Sequence, residues 1–153
     1  MAPDLVSLCR LQLDFMRWAD ELMLAAVASN MPDQIGTLQH IYLAEKVWLA
    51  RIRGQKDIVI TDLEAPPDLA ALQEAWPLMH RSWLDWASVL HDAETVIPHR
   101  NAAGVEFRMP AWQVVLHLVN HGSFHRGQVA TMLRSNGFVP PTTDLIVYYR
   151  TRA

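Results

Sequence analysis

One cysteine in 153 residues leaves no partner for an intrachain disulfide, and a reducing cytoplasm is the expected compartment. That cysteine, Cys9, stands among Leu5, Leu8 and Leu11 and reads as a small core residue. No apolar run approaches the ~18–20 residues that a membrane-spanning helix needs. The opening MAPDLVSLCRLQLD places an acid early and has no basic stretch ahead of an apolar run, so no secretory signal is expected. An excess of positive charge is missing too. The net charge is −3, with 13 Lys and Arg against 16 Asp and Glu, and it offers no basic stripe for nucleic-acid phosphates. Charged residues make up only 19% of the chain and hydrophobic residues 51%, which argues against disorder and for one buried core. Repeats, low-complexity tracts and flexible linkers are absent, so a single domain over residues 1–153 is expected.

What is present is helical periodicity. Over residues 4–29, Leu5, Leu8, Leu11, Phe15, Trp18, Leu22 and Ala25 recur at spacings of three and four, between Asp4 and the helix-stopping Pro32. Residues 34–53 predict a second helix that ends in arginines before Gly54. Its apolar residues cover two sides: Leu38, Ile41, Tyr42, Leu49 and Ile52 on one, Leu43 and Val47 on the other. Such a helix is buried in a bundle centre or beneath a subunit contact. A loop over 55–67 leads to Asp68, an N-cap for a third helix over 68–91. There Leu69, Leu72, Trp76, Met79, Trp83, Trp86 and Leu90 form a seam, with Pro77 expected to kink it. Residues 95–109 lose the helical period and suggest a small hairpin around a glycine turn. Pro110 opens a fourth helix that runs to about Asn136, with Gly137 as its stop. The remaining tail is extended or briefly helical. The expected fold is all-α, a four-helix bundle with a small β-hairpin insert before the last long helix.

Seven histidines offer chemistry, of which His80, His91 and His99 read as ordinary polar residues. On the fourth helix, with Leu118 taken as the centre of the apolar stripe, His125 lies roughly 20° and His121 roughly 60° from it. Both therefore point inward, and their four-residue spacing lets them bind one ion. Spacing and angle leave a second reading open, in which each histidine hydrogen-bonds separately in the core. Two ligands also fall short of a site, since a catalytic zinc-type centre wants three and an open position. His117 is one candidate for the third, but His117, His121 and His125 spread about 12 Å along a single helix. A donor from another helix is needed, and His40 is the obvious one, although periodicity does not show which way it faces.

The stretch HLVNHGSFHRGQVATMLRSNG (117–137) resembles the signature helix of the DinB/YfiT-like family of metalloenzymes. FMRWADELM (15–23) is similar to that family's first-helix motif, and LQHIYLAEKVWLARI (38–52) to its second helix. The family takes its name from a damage-inducible protein and not from the DNA polymerase that shares it. The resemblance implies a four-helix bundle holding a divalent metal on His40, His121 and His125, with His117 outside the ligand set. Some relatives are thiol-dependent transferases that use bacillithiol, mycothiol or glutathione, and a related branch isomerises maleylpyruvate. The resemblance therefore implies a metal-dependent S-transferase acting on a small electrophile, with a low-molecular-weight thiol as co-substrate. A non-catalytic metal-binding stress protein, or a metal-dependent hydrolase or isomerase, is the alternative. Histidine ligands suit zinc, nickel, iron and copper alike. A homodimer is expected, since relatives often pair and the second helix is apolar on two sides.

Around the expected site, Glu45 is a candidate acceptor for an imidazole N–H. The helical wheel sets it nearly opposite His40, which favours a packing role. Arg126 and Gln128 are candidates for lining the pocket or binding an anionic substrate, and helix-surface hydrogen bonding is the plainer expectation for both.

Overall fold

A computed structural model describes residues 4–152. Helix α1 (Leu5–Asn30) starts where the Asp4 carboxylate accepts the Ser7 N–H at 2.7 Å, as an N-cap does. Helix α2 (Gly36–Ile52) follows a short turn, and a 3₁₀ turn (Ile60–Asp62) interrupts the next loop. Helix α3 (Leu69–Val89) is capped by Asp68, which accepts the Ala71 N–H at 2.9 Å. It runs on through Pro77. Gln73 and Pro77 are both exposed, so water can take the carbonyl that the proline ring leaves without a helical donor. Strands β1 (Val96–Arg100) and β2 (Glu106–Pro110) pair antiparallel, with His99 opposite Phe107 and Gly104 turning the hairpin at φ +77°. Pro110 caps helix α4 (Ala111–Ser135), and Gly137, at φ +84°, ends it in the left-handed region that suits glycine.

The tail forms a short helix, α5 (Leu145–Arg150), that docks on α1. Tyr148 is buried there and donates its hydroxyl hydrogen to Asp14 at 2.6 Å, and Gln12 donates to the Tyr149 hydroxyl at 2.9 Å. Tyr148 also meets Phe15 and Trp18, each 5.5 Å away between ring centroids.

Helix α1 packs between α3 and α4, and α2 packs mainly on α4. The buried seam of α1 is Cys9, Leu13, Met16, Asp20, Met23 and Val27. It lies roughly a third of a turn from the stripe that periodicity selects. Leu5 and Ala25 are exposed, and Leu8, Leu11, Trp18 and Leu22 are only half-buried. The helix is apolar on more than one track, and the track that includes Trp18 faces the docked tail. Helix α3 buries Leu72, Trp76, Met79 and Trp83, as its seam predicts. In α2, Val47 is buried and Leu43 packs against the core, so its second apolar side is largely covered within the chain itself. That removes one of the two reasons for expecting a subunit contact.

Candidate metal centre

Burial along α4 decides where its histidines sit. The buried residues are Ala111, Val114, Val115, Leu118, Val119, Gly122, Arg126, Val129 and Leu133. Their mean direction lies roughly 40° from Leu118, toward Val119 and Arg126. His121 and His125 therefore fall at the margin of the stripe and are half-buried, not enclosed among aliphatic groups. His117 falls farther round and is exposed. Arg126 moves the other way, into the interior.

Helix α2 crosses α4 so that His40 meets this margin. The His40 Nε2 lies 3.2 Å from the His121 Nε2, and the His40 and His125 ring centroids are 4.5 Å apart. Ring nitrogens of His40, His121 and His125 all lie within 4.8 Å of one another, close enough to hold one metal ion. Two imidazole nitrogens on one zinc ion, each at ~2.0–2.1 Å with a tetrahedral angle between them, are about 3.4 Å apart. The His40–His121 spacing suits such a pair.

Gln128 stands behind His125. Its Oε1 accepts the Nδ1–H of His125 at 2.7 Å, which fixes the tautomer and leaves the Nε2 lone pair free. Burial, then repulsion from His125, His40 and His117, pulls the His121 pKa down to about 4. Burial and then His125 lower His40 as well. Both rings are neutral at pH 7, the form that ligates a metal. Donor type, spacing and protonation all fit a divalent ion.

The other weighed residues are placed elsewhere. The His117 ring centroid is 5.8 Å from that of His121, and His117 packs edge-on to Trp48, outside the donor cluster. Glu45 and Arg126 belong to a second, fully buried group with Asp20 and His80. Arg126 donates to Asp20 at 2.6 Å and to the Ser123 hydroxyl at 3.0 Å. This corrects the expectation of surface hydrogen bonding for Arg126, because its guanidinium lies inside the bundle. His80 approaches Asp20 at 3.3 Å and Glu45 at 3.5 Å, and Trp76 donates its indole N–H to Glu45 at 2.8 Å.

Sequence reasoning passed over His80, yet it stands four residues after Trp76 and three before Trp83, on the apolar face of α3. His99 also departs from an ordinary polar residue. It is buried, stacked on Phe107 across the hairpin and edge-on to Trp48.

The buried group balances its own charge. Burial pushes Asp20 up, but Arg126 and His80 outweigh it and hold the carboxyl below its ordinary value. Burial, then the Asp20 charge beside it, raises Glu45 to about 7. Burial pulls His80 down, while hydrogen bonds to Asp20 and Glu45 overcome that and raise it to about 9. Two acids thus face two bases. Asp20, Glu45 and His80 also bring donor atoms close together, but the adjacent Arg126 cation already compensates the carboxylates. The group ties α1, α2, α3 and α4 together from inside.

Residues 19–152 match the DinB family, a span that includes both donor clusters. Protein DinB of Bacillus subtilis (strain 168) is 24% identical over 129 residues, which cover 80% of this chain and 75% of that protein. The chain belongs to the DinB family.

Proposed function

We propose that this chain, as a single helical-bundle domain, binds one divalent metal ion on His40, His121 and His125. It uses the ion in a metal-dependent S-transfer, in which a low-molecular-weight thiol loses its proton and bonds through its sulfur, as the whole thiolate, to a small electrophile. The observation that carries the reading is the convergence of three imidazoles from two helices at a half-exposed margin. Three neutral ligands leave an ion most of its charge and an open position. When bound there, the ion supplies a Lewis acid that lowers the pKa of a thiol or of water.

The chain's own residues supply orientation. Gln128 holds the His125 ring, and His40 reaches the margin from α2. Among the described residues no carboxylate joins the three imidazoles in the donor cluster. A cytoplasmic homodimer belongs to the same proposal, and light scattering of the purified protein tests the pairing.

Elemental analysis tests the centre. About one ion per chain is expected, lost in His40→Ala, His121→Ala and His125→Ala. Unchanged metal content in any of the three removes that residue from the site. Incubation with bacillithiol, mycothiol, glutathione and cysteine beside a generic electrophile tests the reaction. Thiol consumption that depends on metal is expected, and none with any thiol leaves a metal-binding protein without this activity.

A further inference from the structure

Phe124 is out of place on α4. The helix otherwise turns most of its large apolar residues inward, yet Phe124 is 65% exposed. Its ring lies edge-on to His125, with centroids 5.1 Å apart. Beside it lies an open, shallow cleft of about 490 Å³ along α4, lined by His117, Asn120, His121, Ser123 and Phe124 of that one helix.

Two features define what the cleft accepts. No Asp, Glu, Lys or Arg lines it, so its side chains add no fixed charge to that of an ion on the histidines. Ser123 already accepts a hydrogen bond from Arg126, while the Asn120 amide makes no side-chain hydrogen bond among the described residues. The uncommitted polar contacts are therefore neutral, namely the Asn120 amide, the His117 ring and the Ser123 hydroxyl hydrogen, and the main apolar surface is one flat ring. A third feature defines where an occupant leads. His121 belongs both to the cleft wall and to the three-histidine cluster. A molecule lying on Phe124 is within reach of an ion on the histidines.

We propose that this cleft is the substrate subsite of the three-histidine centre, and that it takes a flat apolar group stacked on Phe124. The proposal rests on the metal-centre reading and adds the substrate class to it. An aryl or alkenyl electrophile fits. Phe124 determines specificity here and takes no part in the chemistry.

The test uses full-length protein loaded with cobaltous ion, whose visible absorption reports ligands entering the coordination sphere. Imidazole and phenylimidazole are the probes. Phenylimidazole is expected to bind about tenfold tighter than imidazole. In Phe124→Ala the phenyl preference falls to about threefold or less, while imidazole itself binds as before. Phe124 is exposed, so its removal leaves the fold intact. Equal affinities in the unsubstituted protein overturn the proposal, as does a phenyl preference that Phe124→Ala leaves unchanged. A changed oligomeric state in Phe124→Ala without a changed preference also overturns it and assigns the ring to a second copy of the chain. Failure to bind cobalt, or cobalt binding that survives His121→Ala, is a separate result. It removes the metal centre and the subsite with it.

Discussion

Gln128 does more for the candidate site than its surface position suggests. By accepting the Nδ1–H it holds one tautomer of His125 and one orientation of the ring. Removing such a support behind a ligating histidine typically weakens metal affinity about 10–100-fold. Gln128→Ala is expected to show that loss in a competition titration with a chelator, while helix content stays unchanged. His117 gives the opposite expectation. It lies beside His121 but outside the donor cluster, so His117→Ala should keep the metal content of the unsubstituted protein. A loss of metal in that variant would move the ligand set onto α4.

At the scale of elements, the Arg126–Asp20 pair joins α4 to α1 at the level of the histidines. Arg126 follows His125 directly, and its guanidinium curls back until a Cβ on Gly122 would lie 2.7 Å from its Nη1. Both partners are buried, so removing one leaves an unpaired charge in the interior. Arg126→Met is expected to cost about 3–5 kcal/mol in urea denaturation. Its cost in an Asp20→Asn background should be smaller, because the two residues form one interaction. The docking of α5 is a lesser matter. Tyr148→Phe removes the hydrogen bond to Asp14 and should cost about 1 kcal/mol.

Across the whole molecule, the buried group makes stability depend on pH. His80 has a folded pKa raised from 6.5 to about 9. Its contribution is complete below pH 6.5 and is lost as the pH rises through 9. Glu45, raised from 4.5 to about 7, acts in the same direction over that lower window. Asp20, held below its ordinary value, acts the other way, and its contribution is lost as the pH falls through its folded pKa. The groups facing His80 are Asp20 and Glu45, with Arg126 behind Asp20. Tm measured from pH 6.5 to 9 should decline in the unsubstituted protein, and His80→Gln should flatten that decline. An unchanged slope would show that His80 is not the group that titrates.

Helices α3 and α4 are legible in the sequence because each carries a run of apolar residues at helical spacing between clear caps. Asp68, Pro110 and Gly137 mark ends that local geometry sets. The hairpin is legible where that period fails. Family membership follows from the motifs, since those residues stand in one continuous order whatever the packing. The seam of α1 is not legible, because a helix with several apolar tracks does not reveal which one a neighbour covers. The direction of His40 depends on how α2 crosses α4, a relation between elements about 80 residues apart in the chain. The interior place of Arg126 depends on Asp20 meeting it from α1. The sequence by itself determined which side chains are available, where the helices begin and end, and the family. Only the tertiary structure decided which histidines converge and which charges are enclosed, because burial and donor spacing arise between elements and no single helix carries them.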